Sequence, residues 1–248
     1  MKVKFLGTSH GLPMKGRHCQ SILIQTENGD YMIDAGAPVL DILSNDGYDL
    51  TRLKAIFVTH MHSDHMMGIA DIICAASWYY KDMNFKVFLP EQRGIDEIRS
   101  FCAMLLYNRY DTDRITYNLY EEGMIYDDGN FKITAYHTDH MDVTSDIAYG
   151  FMAEAEGQKV YITGDMHRTL KDFREQLYKE NVNLLIVECA HFTPEALCDK
   201  LKKCRTNAAA IVHVFPLCVY DELKKLEKEL PFKMLYPKDG DEYEISQY

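Results

Sequence analysis

Residues 57–69 read F-V-T-H-M-H-S-D-H-M-M-G-I, with three histidines and an aspartate inside six positions at the end of an apolar run. His60 and His62 are two apart, so on an extended segment their side chains leave from the same side, whereas Asp64 and His65 enter the following turn. Imidazole and carboxylate at this spacing suit a borderline-soft divalent ion such as zinc. Four candidates in one loop exceed what one tetrahedral ion can use, because the adjacent Asp64 and His65 diverge too far to share a centre with both His60 and His62. Two ions are therefore expected, with their remaining ligands at other strand ends. Asp165 follows the apolar V-Y-I-T-G, where Gly164 gives a tight turn; His213 closes A-A-A-I-V-H; and H-T-D-H at 137–140 offers His137 and His140.

Short apolar runs recur at 3–6, 21–25, 31–33, 55–58, 87–89, 132–135, 148–152, 160–162, 184–187 and 208–214, and they are rich in Val, Ile, Tyr and Phe between turn residues. Such runs predict strands. E-N-G-D at 27–30 and A-E-G-Q at 155–158 sit between pairs of them and predict hairpins. Helical periodicity covers 66–79, 94–107, 169–180, 194–204 and 221–229, with Thr193 and Pro194 as cap and first turn of the fourth. Hairpins interleaved with helices in both halves predict a layered α/β protein, and 248 residues at 47% hydrophobic content suffice for one domain spanning 1–248. No apolar run is long enough to span a membrane and the start turns polar too early for a secretory signal, so a cytoplasmic protein is expected. Its seven scattered cysteines fit reduced thiols, mostly small core hydrophobes. A net charge of -11 with a pI near 5.3 disfavours a long nucleic acid as partner.

T-H-M-H-S-D-H, a later loop histidine, T-G-D and a histidine near the C-terminus, in that order, resemble the metallo-β-lactamase superfamily over essentially the whole chain. Y-M-I-D-A-G at 31–36 is similar to the family's strand whose terminal aspartate props up the metal loops. The resemblance implies a four-layer αββα sandwich with two divalent metals, zinc with manganese or iron as alternatives, at one rim between the sheets. It implies His60, His62 and a histidine of 137–140 on the first metal, Asp64, His65 and His213 on the second, and Asp165 bridging. His137 shares parity with Phe131, Ile133 and Ala135 and is expected to face the core. His140 lies free on the loop and matches the family's T-x-H, so it is the favoured third ligand.

The opening V-K-F-L-G-T-S-H-G-L-P is similar to the ribonuclease Z and phosphodiesterase-like branch, and His62 argues against the redox members, which carry Glu there. The arm with which ribonuclease Z clamps tRNA has no counterpart, since 149–163 reads as one hairpin. That enzyme's H-E-A-T is matched only in part by V-E-C-A-H-F at 187–192, where Glu188 fits and His191 stands three residues on. The expected activity is hydrolysis of a small or cyclic phosphodiester through a metal-bridging hydroxide, with Asp64 orienting the water and His191 as general acid. A hydrolase of the same fold acting on a lactone, thioester or β-lactam is the alternative, and a non-catalytic metal-binding scaffold the second. A homodimer is compatible with the sequence. His10 and His18 lie on a loop that can border the pocket, His167 is expected exposed, and for Trp78, Tyr79 and Tyr80 at the end of the helix after the metal loop packing is the expected role and lining a lid the alternative.

Overall fold

Alternation along the apolar runs sorts their side chains onto two faces, and both faces are buried. A computed structural model describes residues 1–109, 113–140 and 147–248, and among these the strands are β1 (Lys2–Gly7), β2 (Ser21–Gln25), β3 (Asp30–Ile33), β4 (Leu53–Phe57), β5 (Phe85–Leu89), β6 (Ile115–Leu119), β7 (Gly123–Asp127), β8 (Phe131–Thr138), β9 (Ala148–Ala155), β10 (Gln158–Ile162), β11 (Val182–Cys189), β12 (Thr206–Val214), β13 (Lys233–Leu235) and β14 (Glu242–Glu244). The helices are α1 (Val39–Asn45), α2 (Ser63–Met66), α3 (Ile69–Trp78), α4 (Gln92–Leu105), α5 (Pro194–Leu201) and α6 (Val219–Leu226). Two mixed seven-stranded sheets result, ordered β14-β1-β2-β3-β4-β5-β6 and β13-β12-β11-β10-β9-β8-β7.

Phe5, Ile22, Ile24, Tyr31, Ile33 and Phe57 of the first sheet pack against Phe131, Ile133, Phe151, Ile162 and Ile186 of the second. The intervening Leu6, Leu23, Met32 and Ile56 turn outward under α1, α3 and α4. Leu185, Val187, Ala209 and Ile211 turn outward under α5 and α6. This is the expected order of layers, helix, sheet, sheet, helix. Each sheet is antiparallel on one side and parallel on the other, and β1, β3 and β4 share one direction, as do β8, β10, β11 and β12. Their C-terminal ends carry the polar loops, where crevices form in sheets of this kind.

The strand runs and both hairpins are as expected, while four strands and α1 were not. β6 and β7 alternate weakly in burial and β13 and β14 are three residues long, so none carries a strong period-two signal. The periodicity at 66–79 divides into α2 and α3 at Gly68, whose amide turns to the Ala35 carbonyl at 2.8 Å. The helix expected at 169–180 does not form: Leu170 has φ 54°, and only a 3₁₀ turn at Glu175–Tyr178 follows. Thr193 caps α5 as expected, its Oγ1 accepting the Ala196 amide at 3.3 Å. Five of the seven cysteines are buried, and none forms a disulfide.

Candidate metal centre

His60 and His62 follow β4, and Asp64 and His65 lie on α2 with Asp64 6% and His65 1% exposed. Asp34, one residue past β3, has φ 56° and turns its carboxylate under this loop. It accepts the Thr59 amide at 2.8 Å and the Thr59 hydroxyl at 3.0 Å, and pairs with His65 Nδ1 at 2.7 Å. That contact fixes the tautomer of His65 and leaves Nε2 facing the cluster.

The other donors come from the second sheet. Gly164 has φ 59°, and a Cβ there would lie 2.3 Å from the Tyr149 carbonyl oxygen, so glycine is required where β10 turns to present Asp165. His213 is an inserted residue: β11 and β12 pair Glu188 with Val212 and Cys189 with Val214, and His213 has φ 49°. Strict alternation would aim it at the α5 and α6 layer. The bulge aims it at the rim instead, and its amide leaves the ladder to bond the Thr8 carbonyl of the first sheet at 3.1 Å.

The candidate ligands gather in three overlapping groups, His60 with His62, His140 and Asp165; Asp64 with His65 and His213; and Asp165 with His191 and His213. Within each group the ligand atoms lie within 4.8 Å of one another. Asp165 Oδ2 stands 3.6 Å from His140 Nε2, 3.7 Å from His65 Nε2 and 3.8 Å from His60 Nε2, while Oδ1 is 3.6 Å from His213 Nδ1. These gaps are too wide for hydrogen bonds and suit atoms that share an ion. Among the described residues, both ring nitrogens of His140 and Nδ1 of His213 are buried without a hydrogen-bond partner, and His65 Nε2 faces His213 Nε2 at 3.3 Å. Buried imidazole nitrogens left in this way fit divalent metal ions.

Burial pushes the Asp165 carboxyl up, but His213, His65, His60 and His191 outweigh it and hold the group far below the usual carboxylate range. Burial, then the charge of His65, holds the His60 imidazole well below its ordinary value. For His191 burial is again opposed, here by Glu188, whose hydrogen bond and charge raise the imidazole to about 9. Glu188, 2% exposed, accepts the Met166 amide at 2.8 Å and the Ala190 amide at 2.9 Å and holds His191 Nδ1 at 2.8 Å. His191 Nε2 is thereby directed at Asp165, 4.0 Å away.

Several neighbours differ from expectation. His137 is not buried in the core: it keeps the parity of Phe131, Ile133 and Ala135 and pairs with Tyr149 across the ladder, yet its side chain is 45% exposed beside Asp139, one residue from the end of β8. Thr138, on the opposite face of β8, is buried, its hydroxyl bonding the Asp165 carbonyl at 2.9 Å, and His140 lies in the first group with a side chain 6% exposed. The Met141 and Asp142 that end H-T-D-H-M-D lie outside the described residues. His167 is buried, because its amide bonds Asp172 at 2.8 Å and its ring meets Thr169. Asp172 also accepts the Asp139 amide at 2.9 Å and so ties together the loops of His140 and Asp165, a role with no signal in the sequence. His10 borders the site, its ring 4.9 Å from that of His213, whereas His18 turns away to Asp239. Trp78, Tyr79 and Tyr80 are 45%, 77% and 43% exposed on a separate surface groove, so they are not packed as expected.

A ribonuclease Z from Listeria monocytogenes is 32% identical over 143 residues, which are 56% of this chain and 46% of that protein. The chain thus spans about half the length of the curated relatives it matches. The metallo-β-lactamase fold protein YhfI from Bacillus subtilis superposes with a TM-score of 0.79 at 19% identity, covering 98% of this chain and 99% of that one. The short form of human tRNase Z does so with a TM-score of 0.72 at 19% identity, covering 99% of each. The fold is that of the metallo-β-lactamases, and it implies divalent metal ions. Residues 1–233 match the family model described as anti-Pycsar protein Apyc1, and the chain belongs to that family.

Proposed function

We infer that this protein is a dinuclear metal-dependent hydrolase and that its substrate is a small or cyclic phosphodiester. The observation that carries the reading is the position of Asp165 between the two groups: its Oδ2 stands 3.6 Å from His140 and 3.8 Å from His60 of the first and 3.7 Å from His65 of the second, and its Oδ1 3.6 Å from His213. In this reading His60, His62 and His140 would hold one ion and Asp64, His65 and His213 the other, with Asp165 within reach of each group. Zinc suits the nitrogen-rich donors, with manganese or iron as alternatives. Divalent ions bound there would acidify a water molecule and neutralise charge on a phosphoryl group.

The protein's own groups do the rest. Asp64, held by the Gly11 amide at 2.8 Å and His213 at 3.2 Å, orients the attacking water. His191 reaches the leaving oxygen through Nε2 and gives it a proton, while Glu188 on Nδ1 keeps the ring aimed. The similarity to ribonuclease Z, the seven candidate ligands at one rim and the further imidazole of His191 beside Asp165 support phosphoester chemistry. The acidic chain, with 38 Asp and Glu against 27 Lys and Arg, favours a small substrate over a long polyanion.

The test compares metal-loaded protein on bis(p-nitrophenyl) phosphate, a chromogenic cephalosporin and a glutathione thioester. The phosphodiester is expected to react fastest, and His191→Ala is expected to slow it by about 10²-fold with metals retained. Faster turnover of the lactam or thioester by orders of magnitude in kcat/KM would refute the phosphodiesterase assignment and leave the metal centre standing.

A further inference from the structure

Next to His62 the rim opens into a cleft of about 290 Å³, walled by His60, His62, Met61, Met66, Gly94 and Arg93 together with the carboxylates of Glu91 and Glu97. We propose that this cleft is a binding subsite for a planar, largely apolar substituent of the substrate, the part of the phosphodiester that does not react. The proposal rests on the phosphodiesterase reading for the group attached to that substituent. The cleft is continuous with the metal centre, because His60 and His62 belong both to its wall and to the first ligand group. A molecule whose phosphoryl group lies at Asp165 can therefore place a substituent here without leaving the protein surface.

The lining selects for a flat group. Met61 and Met66 present thioethers, which are soft, adaptable and favourable against aromatic rings. Arg93 is exposed at the mouth and has no ion-pair partner among the described residues, which leaves its planar guanidinium available to stack on a ring. The volume lies at the low end for ligand pockets and suits one ring system rather than a chain.

Gly94 is the residue that keeps the cleft open. It is buried in the first turn of α4, where glycine weakens a helix relative to alanine. A Cβ at this position would stand 2.4 Å from Met61 Cε and 2.9 Å from its Sδ, so any side chain would drive Met61 off the helix and into the cleft.

The experiment measures binding of phenylphosphonate and of methylphosphonate to the metal-loaded protein by calorimetry, in the wild type, Gly94→Leu and Arg93→Ala. Burial of one ring predicts that the wild type binds the phenyl compound roughly tenfold tighter. Both variants should lose most of that preference while keeping their metal content, their circular dichroism and their affinity for methylphosphonate. Equal affinities in the wild type would overturn the subsite. So would a full phenyl preference in both variants; should Gly94→Leu fail to fold, the exposed Arg93→Ala decides alone. Rates on bis(p-nitrophenyl) phosphate separate the two readings. A wild type that prefers the phenyl ligand, and loses this in the variants, yet cleaves no phosphodiester retains the subsite and refutes the phosphodiesterase.

Discussion

Asp34 Oδ2 lies 2.7 Å from His65 Nδ1, and Asp34 belongs to none of the metal-ligand groups. It acts on the site through His65, whose ring it orients and whose Nε2 it makes a better donor. Asn tolerates the φ of 56° at this position, so Asp34→Asn should leave the backbone unchanged. Loss of the carboxylate is expected to weaken metal binding by about 10- to 100-fold. Competition with a graded chelator series, read by elemental analysis, measures this; unchanged affinity would make Asp34 a purely structural residue.

His140 and His137 separate on exposure. His140→Ala should lose metal, because its buried ring nitrogens face Asp165. His137→Ala should keep its metal and stay within about 0.5 kcal/mol of wild-type stability, as surface substitutions do. The reverse pattern of metal content would move the third ligand to His137.

Protein purified without chelator should contain close to two equivalents of divalent metal per chain. Removal exposes the cluster to unrelieved burial of imidazole and carboxylate, and the lost ligand binding is expected to lower Tm by on the order of 10 °C. A content that stays near one equivalent after reconstitution would reduce the site to a single ion.

Glu188 accepts the Met166 and Ala190 amides and His191 Nδ1, so every contact wants an anionic acceptor. Glu188→Gln keeps the shape and turns one acceptor into a donor. Turnover of bis(p-nitrophenyl) phosphate should fall by about 10²-fold with metal content unchanged. Loss of metal in this variant would instead assign Glu188 to support of the Asp165 loop.

Tyr31 of β3 donates to Asp128 at 2.5 Å, linking the first sheet to the turn between β7 and β8. Burial raises the Asp128 carboxyl, but bonds from Tyr31 and from the Phe131 and Asn130 amides outweigh it and bring the group below its ordinary value. Its stabilising contribution is therefore full above the unfolded value of about 3.9 and fades as pH falls toward the folded one. Tyr31→Phe should cost about 1 kcal/mol in urea unfolding at pH 7, and the deficit should narrow below about pH 4. A deficit that is the same at pH 3 and pH 7 would mean that the loss is one of packing.

The sequence by itself determined the parts of this protein that are local. His60, His62, Asp64 and His65 need only the end of one apolar run to come together, and alternation at positions such as 22–24 and 31–33 specifies two buried faces and hence sheets with helices outside. The tertiary structure decided what alternation cannot express. His213 reaches the rim because a bulge breaks the register of β12 while Thr8 of the other sheet takes its amide. His137 is solvated although its parity is that of the core, at the penultimate position of β8 beside Asp139. The periodicity at 169–180 gives way once Asp172 is engaged by the amides of Asp139 and His167. For His213 and for 169–180 a hydrogen bond to a residue more than twenty positions away outweighs a local preference worth a fraction of a kcal/mol per residue.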